Sequence, residues 1–483
     1  MASRRVQRGA LMLALLVMAG LLAVLFTAGL LTSRVTGTDT ASRDRTTREA
    51  LVQAKAALLA YAVTYAENHD PSEDLPGFLP CPDTSADTRD GTADSPCRGR
   101  NVNALGRLPW YTLDIPTLRD ASGECLWYAV AGRYKASALK TNDFIAAADQ
   151  TTQRDLFNWD TPGQLDVFGP DGASRLTADN GYDRAVAIVF APGLALGGQN
   201  RTRVTGTSDC GGNYAASNYL DTRAGIDNAL IATTAPDAGA NSSFVQGPAV
   251  PGFNDQLIVI TAREVWSAIW RSRFFQARAA DLTRKVAECV ARYPSDPADE
   301  RLPWAAPITA DIVNSDSQQD ADNTFSGRVP FKTPVSNGVT GNAALRLLGT
   351  SSVGGRCANW TAQTNIWYAN FKDQLFYALS DAFRPAGSAG GRGCGANDCI
   401  TVNGTPMAAG VMFAGPPFAG QSRRPGTTEV QDVANYLEEP NRTQASMAGN
   451  GAFASSGPAP FNDNIVCGID ASLTVPVTAA CPP

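Results

Sequence analysis

Histidine sets the first limit on chemistry, because the 483-residue chain contains one, His69. A Ser–His–Asp or Cys–His arrangement would have to use it. A histidine-rich metal site cannot be assembled within one chain. His69 lies in Ala66-Glu67-Asn68-His69-Asp70-Pro71, where a helix should end, and reads as a solvated residue at a helix C-terminus. Cysteine is more plentiful: Cys81, Cys97, Cys125, Cys210, Cys289, Cys357, Cys394, Cys399, Cys467 and Cys481. The number is even and no Cys-x-x-Cys pair occurs, so disulfides in an oxidising compartment fit better than zinc or thioredoxin-like chemistry. Short-range pairing suggests Cys81 with Cys97, Cys394 with Cys399, and Cys467 with Cys481. The connectivity as a whole stays open.

Carboxylates offer the next candidates. Phe253-Asn254-Asp255 and Phe461-Asn462-Asp463 each precede a strand. Asn and Asp suit a turn there. The alternative is calcium, with Asp255 and Asp463 as ligands, but no dense acidic loop surrounds either residue. Gly197-Gly198-Gln199-Asn200-Arg201 and Gly420-Gln421-Ser422-Arg423 lack Walker spacing and read as turns, with Arg201 and Arg423 able to pair with a carboxylate from a facing loop. Glu438 and Glu439 are adjacent, whereas glycoside hydrolysis needs two carboxyl groups across a cleft. The stretches Asp83 to Asp94 and Asp316 to Asp322 read as solvated acidic loops. No cofactor is implied. The net charge of −6 offers no overall basic surface for nucleic acid.

The elements that would carry these residues begin with an uncharged run from Ala10 to Leu31. As a helix it would extend about 33 Å, enough for the hydrocarbon core of a bilayer. Its exit, Thr32-Ser33-Arg34-Val35, is a poor signal-peptidase site. A transmembrane anchor is therefore expected, with Arg4, Arg5 and Arg8 on the cytoplasmic side. An amphipathic helix follows at about 43–68, with Leu51, Leu58, Leu59, Ala62 and Tyr65 on one face. Strands are expected at 126–130, 185–190 and 256–261. A second helix should start at Thr261, which has capping-box spacing to Glu264, and should continue to Tyr293.

The second half of the chain echoes the first. Leu79-Pro80-Cys81 is answered by Leu302-Pro303-Trp304, and Gly106-Arg107-Leu108-Pro109-Trp110 by Gly327-Arg328-Val329-Pro330-Phe331. In order, Leu126–Val130 matches Leu375–Leu379, Phe190-Ala191 matches Phe413-Ala414, and Gly198–Arg201 matches Gly420–Arg423. Asn218–Asp221 then matches Asn435–Glu438, and Phe253–Asp255 matches Phe461–Asp463. Two copies of one module are expected, at 43–261 and 262–483.

A basic stretch ending in Arg8-Gly9, an apolar run, an amphipathic helix and a cysteine-bearing β-rich body together resemble type IV pilins and type II secretion pseudopilins. The likeness is strongest to pilin-like proteins carrying Leu79-Pro80-Cys81-Pro82, Gly106–Trp110 and Trp127–Val130 in this order. The resemblance implies an α+β fold: leader 1–9, transmembrane helix 10–31, then two pilin-like modules, each an amphipathic helix on an antiparallel sheet. It also implies prepilin processing between Gly9 and Ala10. Pilins usually carry a glutamate at the fifth position after that glycine, where this chain has Ala14. Its absence argues for a minor subunit or a non-polymerising relative. The function implied is that of a non-enzymatic, single-pass inner-membrane protein with a periplasmic or extracellular body. Its partners would be other pilin-like or secretion subunits. The competing reading is an anchored periplasmic hydrolase or ligand-binding module.

Overall fold

Helix α1, Thr38–Asn68, turns one face inward through Thr47, Ala50, Leu51, Ala54, Leu58, Ala62, Tyr65 and Ala66. The three-to-four spacing of these positions makes a single stripe, and its many alanines allow close approach to the body. This computed structural model describes residues 38–483 except 71–73, 86–89, 96, 98–101, 137–155, 179–182, 208, 233–241, 295–300, 313–316, 339–344, 351–354, 359, 361–364, 386–392, 395–397, 419, 445–448, 456–463, 479–480 and 482–483. Thr47–Pro483 forms one compact unit.

The first half builds its main sheet from β1 (Ala104–Arg107), β2 (Trp127–Val130), β3 (Leu165–Phe168), β4 (Ala185–Ala191), β5 (Ser242–Val245) and β6 (Gln256–Thr261). Strand β2 lies between β1 and β4, and β6 pairs with β4, all antiparallel. Gly106, Tyr128, Val189 and Ile258 thus form one row across the sheet. Two helices follow, α2 (Ala262–Trp270) and α3 (Arg273–Ala291). The second half contributes β7 (Ser326–Arg328), β8 (Leu375–Leu379), β9 (Ile400–Val402), β10 (Ala409–Phe413), β11 (Ala452–Phe453) and β12 (Ile465–Ile469). Strands β7, β8, β10 and β12 are antiparallel neighbours in that order, with Gly327, Tyr377, Val411 and Cys467 in one row. Helix α3 packs on β10 and β12.

The glycine that opens Gly-Arg-Leu-Pro has a steric reason. A Cβ on Gly106 would stand 2.5 Å from the Asp83 carbonyl, and one on Gly327 would collide with the Ala306 carbonyl. In both halves an extra backbone segment bridges to the edge strand at the following arginine, Asp83 to Arg107 and Ala306 to Arg328.

The expected fold class needs correction. No helix among the described residues is long and apolar enough to cross a membrane. The described helices carry charge instead: α1 includes Arg43, Arg48, Glu49 and Lys55. The run 10–31, the leader 1–9 and the Gly9–Ala10 junction lie outside the described residues. Nor is the body a pair of purely antiparallel helix-on-sheet modules. It is mixed α/β with several sheets, in which β3 pairs β5 and β9 pairs β11 in parallel. Long connections leave strand direction free, whereas hairpins would force antiparallel pairing. One hydrophobic core runs through residues of both halves.

The helix expected from Thr261 to Tyr293 is two helices. Its start agrees with the sequence, since Thr261 and Glu264 form a reciprocal capping box. The chain breaks at Arg271–Ser272, where the Gln276 side chain donates to the Trp270 carbonyl at 2.7 Å and satisfies the interrupted end.

Sheet register also moves two of the repeat matches by one residue. Trp127 faces Phe190, and its counterpart Phe376 faces Met412, so Phe190 answers Met412 and not Phe413. Leu257 faces Phe190 and Val466 faces Met412. Counting back two residues, Asp255 answers Asn464 and not Asp463.

Candidate functional site: two arginine–tyrosine knots

The matched turns converge on one buried tyrosine in each half. Arg201 lies over the Tyr219 ring at 4.7 Å, and Arg423 over Tyr436 at 4.5 Å. Arg201 donates from Nε to the Asn218 carbonyl and from Nη1 to that of Gly193, both at 2.8 Å. Arg423 donates to the corresponding carbonyls, Asn435 and, at 2.9 Å, Gly415. Gln199 bridges Arg201 to Asp221, and Gln421 bridges Arg423 to Glu438. Each tyrosine also meets an aromatic ring from the central strand, Trp127 at 5.0 Å or Phe376 at 5.2 Å. A second arginine closes each knot. Arg328 stands 4.4 Å from the Tyr436 ring and Arg107 5.7 Å from Tyr219.

Behind each knot sits a second repeated set. Asp255 Oδ2 accepts from the Asp221 N–H at 2.8 Å and from Asn228 Nδ2 at 2.9 Å. Asn464 Oδ1 accepts from the Glu438 N–H at 3.3 Å and from Asn441 Nδ2 at 3.0 Å. Asn228 forms a two-way bridge to the Val245 backbone, and Asn441 forms the same bridge to Ala454. The bonding scheme, not only the strand order, is therefore written twice.

The sequence-predicted residues fall as follows. Arg201 does meet a carboxylate, Glu124 at 3.1 Å, while Arg423 meets the Gln374 amide oxygen at 2.8 Å. Asp255 is 1% exposed, and burial, then the neighbouring Asp221, raises its pKa to about 8. Burial raises Asp221 as well. Asp255 Oδ2 faces N–H donors, whose polarity repels a cation. Asp463 lies outside the described residues, and among the described residues no group of three or more His, Cys, Asp or Glu could hold a metal ion. Glu438 is buried, whereas Glu439 is exposed and pairs with Arg442 at 2.6 Å, so the two do not face each other across a cleft. His69 stacks on Tyr65 at 4.1 Å and donates from Nδ1 to the Tyr65 carbonyl, as a helix-end residue does.

The ten cysteines form five pairs: Cys81–Cys97, Cys125–Cys210, Cys289–Cys357, Cys394–Cys399 and Cys467–Cys481. Such a set belongs to an oxidising, extracytoplasmic environment. No family model, curated protein or solved structure matches the chain.

The stretches expected to be solvated acidic loops are another correction. Asp83, Asp90 and Asp320 are all buried; Asp83 accepts one backbone N–H from its surroundings, and Asp90 and Asp320 accept two each. Sequence reasoning also missed the joint between the halves. Trp159 packs its indole against Trp266, Trp270, Phe275, Phe371 and Phe413, all from the second half. Asn158 donates to the Asn370 carbonyl and to Asp373, and Gln374 donates to Asp160. Burial and Asp160 raise the Asp373 carboxyl. Asn-Trp-Asp-Thr at 158–161 carries no pattern that marks it in advance. The repeated arginines of Gly-Arg-Leu-Pro and Gly-Arg-Val-Pro did.

Proposed function

We propose that this chain is a non-enzymatic structural or interaction protein of the bacterial cell envelope, with a body outside the cytoplasm. The observation that supports this most is the use made of its repeated charged residues. Arg201, Arg423, Asp221 and Glu438 are committed to backbone and side-chain bonds that brace a turn against a sheet. Five disulfides reinforce the same body. A framework cross-linked in this way suits mechanical or docking duty more than a mobile catalytic site.

Its place as a pilin-like minor component of a type IV pilus or type II secretion assembly rests on the amino-terminal resemblance. Attachment to the inner membrane through the apolar run 10–31 is part of the same proposal. Cell fractionation with protease added to spheroplasts tests it. The body should be digested from outside, and non-reducing peptide maps should show all five disulfides. A protected body with reduced thiols would remove the proposal. Cross-linking in sheared surface and membrane fractions should then recover other envelope-assembly subunits.

A further inference from the structure

The first half contains a buried polar chain that is not repeated among the described residues of the second half. Tyr214 Oη lies 3.3 Å from Asp83 Oδ2 and 3.2 Å from Asp90 Oδ1. Asp83 is fully buried and Asp90 is 2% exposed. A phenol has one hydrogen and two carboxylates have none, so with both acids ionised one of these two contacts holds no proton. Of the two acids, Asp90 is the better supplied with donors. Its Oδ2 accepts the Asp209 and Cys210 N–H groups at 3.0 and 2.9 Å, and Arg107 Nη1 stands 3.7 Å from its Oδ1. Asp83 has only the Gly91 N–H, at 2.7 Å, and its Oδ1 is buried with no hydrogen-bond partner. Asp94 adds a third negative charge nearby, with its Oδ2 on the Thr84 N–H at 2.7 Å.

We infer that Asp83 carries a proton in the folded protein and donates it to Tyr214, which in turn donates to Asp90, making a latch that ties Tyr214 to Asp83 and Asp90 and opens on deprotonation. Each oxygen–oxygen contact then holds one hydrogen. Losing the Asp83 proton leaves a buried carboxylate facing a phenol oxygen that has already given its hydrogen to Asp90. A buried charge held by the Gly91 N–H alone is costly. Burial, with Asp90 and Asp94 adding to it, lifts the Asp83 carboxyl to about 7, which places the opening near neutrality. Burial, then Asp83 and Asp90, keep Tyr214 protonated, while Arg107, whose guanidinium lies 4.7 Å from the Tyr214 ring, works in the opposite direction. The Ala306 position, which answers Asp83, has no carboxyl group, so the device is not repeated there.

Hydrogen exchange of the full chain between pH 5.5 and 8.5, corrected for intrinsic rates, tests the latch. Protection of the Gly91, Asp209 and Cys210 amides should fall about tenfold across that range, while Val189 in the central strand keeps its protection. Asp83→Asn is neutral at every pH and should abolish the step. Tyr214→Phe uncouples the two acids, so Asp209 and Cys210 should lose the step while Gly91 keeps one. A flat wild-type profile, or an unchanged step in Asp83→Asn, would overturn the latch.

Discussion

Asp255 and Asn464 occupy the same place in the two halves and hold the same pair of donors, but only Asp255 can ionise. The second half shows that an amide serves the geometry. The carboxyl group adds a pH dependence that the amide does not have.

Asp255→Asn should therefore stabilise the protein at alkaline pH. The folded carboxyl titrates near 8, against about 3.9 in an unfolded chain. A raised pKa gives stability that is fully present below the unfolded value and is lost as pH rises through the folded one. Wild-type stability should decline between about pH 4 and 8 from this group. The variant should lack that component and gain roughly 1–3 kcal/mol at pH 9. Denaturation midpoints at pH 5, 7 and 9 check this, and parallel profiles for the two proteins would refute it.

Adding one methyl group should distinguish crowded from free glycines. Gly106→Ala and Gly327→Ala push a Cβ into a backbone carbonyl and should each cost about 1–3 kcal/mol. Gly197, with open space where a Cβ would stand, should accept alanine without loss. Thermal melts of the three variants provide the comparison.

Trp159→Ala should loosen the joint between the halves. The indole touches five aromatic side chains across that joint, and its removal should cost about 3–5 kcal/mol. Limited proteolysis should then release fragments ending between the halves before either half is degraded. Unchanged proteolytic resistance would mean that other contacts hold the joint.

The Cys289–Cys357 bond ties α3 to a strand, Gly355–Cys357, and its two cysteines are 68 residues apart along the chain. Replacing both cysteines by serine should lower stability by about 2–4 kcal/mol. The loss should disappear when both proteins are compared under fully reducing conditions. A loss that persists there would come from the substituted side chains and not from the cross-link.

The sequence by itself determined the recurring marks: the Leu-Pro and Gly-Arg motifs, the aromatic central strands, the Thr261 cap and an oxidising setting for its cysteines. Each is local, since it depends on a residue's size, its backbone preference or its own neighbours. Tertiary structure decided the register that pairs Asp255 with Asn464. It also decided the burial of Asp83 and Asp90 within a stretch that composition marks as solvated, and the seating of Trp159 in the other half. Those outcomes depend on which distant backbone groups arrive beside a side chain. A carboxylate is solvated or buried according to the N–H groups that reach it, and chain order does not record them.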